Sequence, residues 1–461
     1  MKTIYPFMGL ALCGAAAQAQ EKPNFLIIQC DHLTQRVVGA YGHTQGCTLP
    51  IDEVASRGVI FSNAYVGCPL SQPSRAALWS GMMPHQTNVR SNSSEPINTR
   101  LPESVPTLGS LFSESGYEAV HFGKTHDMGS LRGFKHKEPV AKPFTDPEFP
   151  VNNDSFLDVG TCEDAVAYLN NPPNEPFICI ADFQNPHNIC RFIGENAGVH
   201  TDRPISGPLP ELPDNFDVED WNNIPTPVQY ICCSHRRMTQ AAHWSEENYR
   251  HYIAAFQHYT KMVSKQVESV LKALYSTPAG KNTIVVILAD HGDGMASHRM
   301  VTKHISFYDE MTNIPFIFAG PGIKQQKKPV DHLLTQPTLD LLPTLCDLAG
   351  IAVPAEKAGI IKKNVPLITT EQNPDCLRVF RQTCEQKEAL MSVVPRPSVR
   401  RDAKGFVEYL DESGEWIHLN TFAAYQAVNA ALAEQCVIKI CPNAEREKIK
   451  EALSRAQWAG R

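Results

Sequence analysis

The chain has 461 residues, 42% hydrophobic and 20% charged, a balance ordinary for a globular protein and unlike that of disordered or fibrous chains. That length suffices for one large α/β domain and a smaller one. The formal net charge of -7 argues against a general nucleic-acid binder, so affinity for a polyanion has to come from a local basic pocket.

Residues Met1 to Gln20 have the form of a secretory signal: Lys2 at the start, an apolar stretch from Ile4 to Ala17, and the A-x-A cleavage pattern Ala17-Gln18-Ala19. The stretch is too short for a stable membrane anchor, and no second apolar run is long enough to span a bilayer. A lipoprotein signal centred on Cys13 is disfavoured by the bulky Leu12 before it. The expectation is a cleaved leader over 1–19 and a soluble bacterial protein, periplasmic or secreted. The 14 cysteines are irregularly spaced, include the adjacent pair Cys232-Cys233 and form no C-x-x-C, which speaks against a zinc cage. Most are expected to be buried thiols acting as small apolar groups. Export permits disulfides, with Cys376–Cys384 or Cys436–Cys441 as the nearest candidates.

Four apolar runs predict buried parallel strands: Phe25–Ile28, Ala119–Phe122, Phe177–Ile180 and Ile284–Leu288. A fifth, Ile314–Phe318, is expected nearer an edge, because Pro315 cannot donate a ladder hydrogen bond. Helical patterns lie between them. The plainest runs from Glu246 to Tyr275, where Ile253, Phe256, Val263, Val267, Val270, Leu271 and Leu274 recur at helical spacing. Alternating strands and helices predict an α/β fold, a large mostly parallel sheet sandwiched by helices. The stretches Phe134–Asp154 and Cys190–Gln240, rich in Pro, Asn and Asp, are expected as long surface loops. After Gly350 the pattern changes. Glu356–Pro374 reads as a linker, Gly405–Leu410 and Glu415–Leu419 as a β-hairpin, and Phe422–Gln435 and Ala444–Ala456 as helices. The expected division is therefore a catalytic domain over 20–355 and a smaller C-terminal α+β subdomain over 356–461.

Each main strand is followed by polar residues: Asp31-His32, Gly123-Lys124-Thr125-His126, Asn185-Pro186-His187 and Asp290-His291. Ligands in open α/β sheets bind just beyond the carboxyl ends of the strands, so these clusters should converge on one site. A further segment, Gly67 to Gly81, places Ser71, Pro73 and Arg75 ahead of Ala76-Ala77-Leu78-Trp79. It predicts a loop feeding a helix N-terminus, where unpaired N–H groups and the Arg75 charge favour an anion. Taken singly, each of these Lys and His residues is more often a solvated or structural side chain.

The pattern Ser71-x-Pro73-Ser74-Arg75 followed by Ser80-Gly81 resembles the signature of the type I sulfatases, whose first residue is oxidised to formylglycine (3-oxoalanine). Cys68 fits worse as the modified residue, since Leu70 and Gln72 stand where Pro and Arg are needed. Pro23 to His32, Gly116 to His126 and Ala289 to Asp293 resemble further blocks of that family, and the resemblance spans residues from about 23 to 322. It implies an alkaline-phosphatase-like fold and a serine-type enzyme matured by an oxygen-independent formylglycine-generating partner. Asp31, residue 32, modified Ser71, Asp290 and His291 would hold calcium. Position 32 is His where the family usually has a carboxylate or amide. Calcium prefers oxygen ligands, so either His32 stands behind the ligands or the ion is another, softer divalent metal.

By the same resemblance, Arg75 and Lys124 would anchor residue 71 and the sulfate, and Lys303 would bind sulfate. His126 would hold a gem-diol hydroxyl and take its proton, and His187 would protonate the leaving oxygen. One gem-diol hydroxyl attacks sulfur; the second collapses the enzyme sulfate ester and restores the aldehyde. His298, Arg236 and Arg237 are candidate substrate contacts, guanidinium forks being suited to carboxylate or sulfate. His251, His258 and His304 are read as structural. The implied function is an exported sulfatase acting on sulfated carbohydrates, with heparan or chondroitin sulfate oligosaccharides first and an overall similarity to uronate 2-O-sulfatases. Two alternatives stand beside it: a phosphomonoester or phosphonate hydrolase on the same scaffold, and a non-catalytic sulfated-glycan-binding protein.

Overall fold

Apolar side chains on both faces of short β-branched runs force those runs into the middle of a covered sheet, and the computed structural model places them there. It describes residues 22–43, 47–89, 92, 100–144, 155–195, 208–217, 235–241, 244–304 and 308–353, with short stretches at 399–401, 407–410 and 416–418. Eight strands form the main sheet: Asn24–Cys30 (β1), Val59–Ala64 (β2), Glu118–Gly123 (β3), Lys135–Lys137 (β4), Phe177–Phe183 (β5), Thr283–Leu288 (β6), Phe316–Ala319 (β7) and Val330–Thr335 (β8). Their order is β8-β2-β7-β6-β1-β5-β3-β4. β7 runs antiparallel to both neighbours, and every other pairing is parallel. The carboxyl ends of β1, β2, β3, β5 and β6 therefore point the same way.

The edge position expected for Ile314–Phe318 is corrected. β7 starts at Phe316, after Pro315, and lies inside the sheet between β2 and β6. Pro315 stands outside the ladder, so its missing N–H removes no ladder bond. The apolar content of β2, β4 and β8 does not single them out; β4 is the exposed Lys-His-Lys edge, a composition that discourages further pairing.

The six helices that matter for the site are Leu49–Ala55 (α1), Ser71–Ser80 (α2), Leu157–Asn170 (α3), Ile189–Glu195 (α4), Glu246–Tyr275 (α5) and Pro337–Ala349 (α6). α5 matches the span predicted from its periodicity. Its N-cap is Ser245, whose Oγ accepts from Asn248 N at 3.3 Å while Asn248 Oδ1 accepts from Ser245 N at 2.9 Å. α5 packs on α1, α3 and α4, and α6 packs on α2. Burying each Leu, Ile, Val or Phe contributes roughly 1.5–3 kcal/mol, so β1, buried beyond Asn24, and the fully buried β6 make a rigid platform for the loops at their carboxyl ends.

The two expected surface loops are partly regular: β4 and the pairing of Lys142–Pro143 fall in the first, α4 and a helix over Arg236–Ala241 in the second. In the C-terminal part, Val399–Arg401 (β9), Val407–Leu410 (β10) and Trp416–His418 (β11) form an antiparallel sheet, with Glu408 opposite His418 as the hairpin reading requires. The leader, the linker, both terminal helical patterns and Cys376, Cys384, Cys436 and Cys441 lie outside the described residues. Cys30, Cys47, Cys68, Cys162, Cys179, Cys190 and Cys346 are thiols outside any disulfide, five of them buried. Among the described residues no helix is long and apolar enough to cross a membrane.

Candidate active site

Ser71 is the first residue of α2, and the preceding Leu70 supplies no side-chain cap. The helix start therefore offers its own N–H groups as the local positive pole. Ala76, Ala77 and Leu78 drive the helix, and Gly81 ends it in the left-handed conformation, its N–H donating to Ala77 O at 2.8 Å. Ser74 Oγ donates to the Asp290 carbonyl at 2.5 Å, pinning this turn to the end of β6. Ser71 itself is fully buried, with Oγ 2.9 Å from His291 Nε2.

Arg75 lies one turn further along α2 and is also fully buried. Its Nε donates to Asp290 Oδ2 at 3.1 Å, one terminal nitrogen to Asp31 Oδ2 at 3.0 Å, and the other to Asp182 Oδ2. Burial opposes its charge, but Asp182, Asp290 and Asp31 outweigh burial and raise its pKa. Lys124 reaches Asp31 Oδ2 at 2.5 Å. Its backbone is brought there by Gly123, whose φ of +111° and close approach to the Asp182 carbonyl admit no side chain.

The remaining donor atoms of this corner face one another. His291 Nδ1 lies 2.9 Å from the Gly292 carbonyl, so the proton sits on Nδ1 and the Nε2 lone pair is turned to Ser71 Oγ. Nε2 is 3.7 Å from Asp31 Oδ1 and 3.6 Å from Asp290 Oδ2. Asp31 Oδ1 is buried without a hydrogen-bond partner among the described residues. Burial would raise Asp31, but the cations Lys124, Lys303 and Arg75 hold it well below the usual carboxylate range. Asp290 goes the other way, pushed up to about 7 by burial and by Asp31 despite its cationic neighbours. Two carboxylates and an imidazole lone pair form a donor set that fits a divalent cation, whose charge would favour the ionised form of Asp290, and Asp31, Asp290 and His291 do lie within 4.8 Å of one another by their ligand atoms.

Lys303, His126 and His187 are within electrostatic reach of Asp31. Lys303 is 7% exposed and its Nζ has no partner among the described residues; burial lowers its pKa. His126 has a left-handed φ of 39° and a buried, unpartnered Nδ1, and burial followed by Lys124 and Arg75 lowers it to about 3. His187 is held neutral by burial and by Lys124 and Lys303.

His32 does not join the Asp31, Asp290 and His291 group. Its backbone N–H donates to Asp290 Oδ1 at 3.1 Å, but with φ of 78° its ring turns to Asp293, Nε2 lying 3.1 Å from Oδ2. His298 stacks on Tyr308 at 4.2 Å, with Nε2 3.3 Å from Asn215 Nδ2. Arg237 donates to Gln240 on its own helix at 3.1 Å, and the side chain of Arg236 lies outside the described residues. Neither His298 nor Arg237 joins Ser71 through a hydrogen bond or ion pair among the described residues.

Sequence reasoning missed Asp182, the penultimate residue of β5, which holds Arg75 and is backed by His121 Nε2 at 3.4 Å. It also missed Asp158 in α3, whose carboxylate accepts from Gln184 N at 2.5 Å and Asn185 N at 2.8 Å and so positions the loop carrying His187. The available signal was an acidic residue continuing an otherwise apolar strand, where only a partnered charge can be buried.

This arrangement sits on a chain with close relatives. The Sulfatase family matches residues 23–351. Over 421 residues, 89% of this chain and 85% of the relative, it is 84% identical to a Δ4,5-hexuronate-2-O-sulfatase of Bacteroides thetaiotaomicron. A solved 2-O glycosaminoglycan sulfatase is 73% identical with a TM-score of 0.72, covering 95% of this chain and 93% of that one. The phosphonate monoester hydrolase of Agrobacterium radiobacter, 16% identical with a TM-score of 0.57 over 94% of this chain and 96% of its own, shares the fold alone. The chain belongs to the sulfatase family and is a sulfuric ester hydrolase with the alkaline-phosphatase-like fold.

Proposed function

We propose that this enzyme is exported and removes the 2-O-sulfate from a terminal unsaturated hexuronate of glycosaminoglycan oligosaccharides, heparan or chondroitin sulfate, using a formylglycine made from Ser71. The observation that carries the chemistry is Ser71 Oγ at 2.9 Å from the His291 lone pair, on a helix start held to Asp290 and Asp31 through Ser74 and Arg75. The substrate position rests on the 84% identity to the hexuronate-2-O-sulfatase. Asp31, Asp290 and His291, with residue 71, would hold a divalent metal, calcium by their oxygen-rich donors, and when bound it would lower the pKa of a hydroxyl at residue 71 and offset the sulfate charge. Hydrated formylglycine supplies two hydroxyls on one carbon, one to attack sulfur and one to expel sulfate.

The chain's own groups then divide the work. Lys124 and Lys303 neutralise the sulfate, and Arg75 keeps the floor of the site rigid. His126, neutral through burial, can accept a proton from a hydroxyl at residue 71. His187 is kept unprotonated by burial and by Lys124 and Lys303, so an incoming sulfate offsets those cations and favours the protonated ring that serves the leaving oxygen. Maturation of Ser71 requires an oxygen-independent formylglycine-generating partner.

Matured enzyme should turn over unsaturated disaccharides bearing a uronate 2-O-sulfate and leave 4-O- and 6-O-monosulfated ones intact; phosphonate or phosphate monoester turnover with none on sulfated sugar would refute the reading. Mass spectrometry of the Ser71 peptide should show a loss of about two mass units, as a covalent modification requires. Ser71→Ala should lose all sulfatase activity in a folded protein, and retained turnover contradicts the nucleophile.

A further inference from the structure

Beside the first cluster lies a second set of ligand-type side chains, of which the reaction uses only His187. His32, His187 and Cys190 bring two ring nitrogens and a thiol sulfur within 4.8 Å of one another. Thr302 identifies the atoms: its Oγ1 is 3.5 Å from His32 Nε2 and 3.0 Å from Cys190 Sγ. Nε2 is thus the His32 atom on this side, and Asp293 Oδ2 stands 3.1 Å from it. Asp293 is fully buried. Its Oδ1 accepts from the Tyr252 hydroxyl and from Met295 N at 2.8 Å, whereas Oδ2 has no hydrogen-bond partner among the described residues. A buried carboxylate oxygen left in this way beside a ring nitrogen of the group is an independent sign of a cation site.

We propose that His32, His187 and Cys190, backed by Asp293, form a thiophilic-metal site that takes zinc and switches the enzyme off by withdrawing His187 from the leaving group; the inhibitory half rests on His187 acting as the leaving-group acid. Two nitrogens and one sulfur match zinc or cadmium and suit calcium and magnesium poorly, and the Asp293 carboxylate stands beside His32 as a charged support. Binding replaces the Cys190 thiol proton with a metal–sulfur bond, the proton leaving to solvent. One thiolate and one carboxylate balance the two charges of the ion. His187 and Cys190 are both partly exposed, which gives an ion a way in.

The test uses the full-length matured enzyme in excess calcium. Cadmium is titrated in while thiolate-to-cadmium charge-transfer absorption is followed, and sulfatase rate is measured against zinc in parallel. One equivalent of cadmium should give the band in the wild type. Cys190→Ser and Cys190→Ala should lack it, keep basal turnover, and need at least tenfold more zinc for half inhibition, and a chelator should restore the zinc-treated wild type. No band, or one that persists in both variants, removes the site. A band lost in the variants with equal zinc inhibition throughout keeps the site and removes the switch. The absorption readout stands even if no sulfated sugar is a substrate, so failure of the proposed function is seen separately.

Discussion

Asp31 and His32 are consecutive, yet they build different corners. Asp31 continues the line of β1 and meets Arg75 and Lys124. His32, with its φ of 78°, turns to Asp293, Thr302 and the His187 loop. The first corner has oxygen donors over a buried guanidinium that ties three carboxylates together; the second has nitrogen and sulfur donors and an incompletely satisfied carboxylate. The groups behind the donors thus separate the corners as much as the donors do. A floor of fixed positive charge keeps Asp31 ionised and ready for a hard ion, while burial together with Lys124 and Lys303 keeps the imidazoles unprotonated and ready for a soft one.

The largest effect should come from breaking the floor of the first corner. Arg75→Lys keeps the charge but replaces a three-way fork with a single ammonium, leaving buried carboxylates without their partner. Loss of such a partner costs on the order of 3–5 kcal/mol. Denaturant unfolding should show that loss, with sulfatase turnover falling at least a hundredfold. If the corners are independent, the cadmium absorption of the second should persist in the folded fraction. A variant within about 1 kcal/mol of wild type would mean that Arg75 does not organise the corner.

A smaller change sharpens the same comparison. Asp182→Asn leaves the Arg75 contacts to Asp31 and Asp290 in place and weakens only the third. Residues that orient ligands from behind typically cost 10–100-fold when altered, so kcat should drop by about that factor with KM little changed. In a double-mutant cycle with Arg75→Lys the effects should be strongly non-additive, because the two side chains share one ion pair. Additive losses would place Asp182 outside the network.

The sequence makes the strand-end clusters legible because an apolar run followed by acid, His or Lys has few structural explanations, and the parallel direction of the strands brings such ends together. Ser71, Arg75, Asp31, Lys124, Asp290 and His291 are found in one place for that reason. The direction of the His32 ring was not legible, since it depends on a left-handed backbone that His seldom adopts and no neighbouring residue announces. Asp182 was hidden inside a strand that reads as apolar, and its need for a partner becomes visible only when α2 delivers Arg75 to it. Pro315 misled for a related reason: a proline limits pairing only inside a ladder, and where the ladder begins is set by the strands beside it.

The smallest effect concerns the support of the second corner. Asp158 holds the backbone of Gln184 and Asn185, just ahead of His187 and Cys190, and burial pushes its carboxyl from 3.8 up to about 6, the two backbone N–H groups working against the rise. A carboxyl raised in the folded state stabilises the protein fully only below its unfolded pKa, and that contribution is lost as pH rises through the folded value. Each pKa unit is worth about 1.36 kcal/mol, so the wild type should lose roughly 2 kcal/mol of this contribution between about pH 4 and about pH 7. Asp158→Asn does not titrate. It keeps one acceptor for two N–H donors, a pH-independent cost of roughly 1–3 kcal/mol. Asp158→Asn should be the less stable protein at the lower pH, with the gap closing or reversing at the higher one in urea unfolding. A gap that stays constant would mean that Asp158 is ionised throughout, and the His187 loop would then rest on a charge rather than on a carboxyl that titrates.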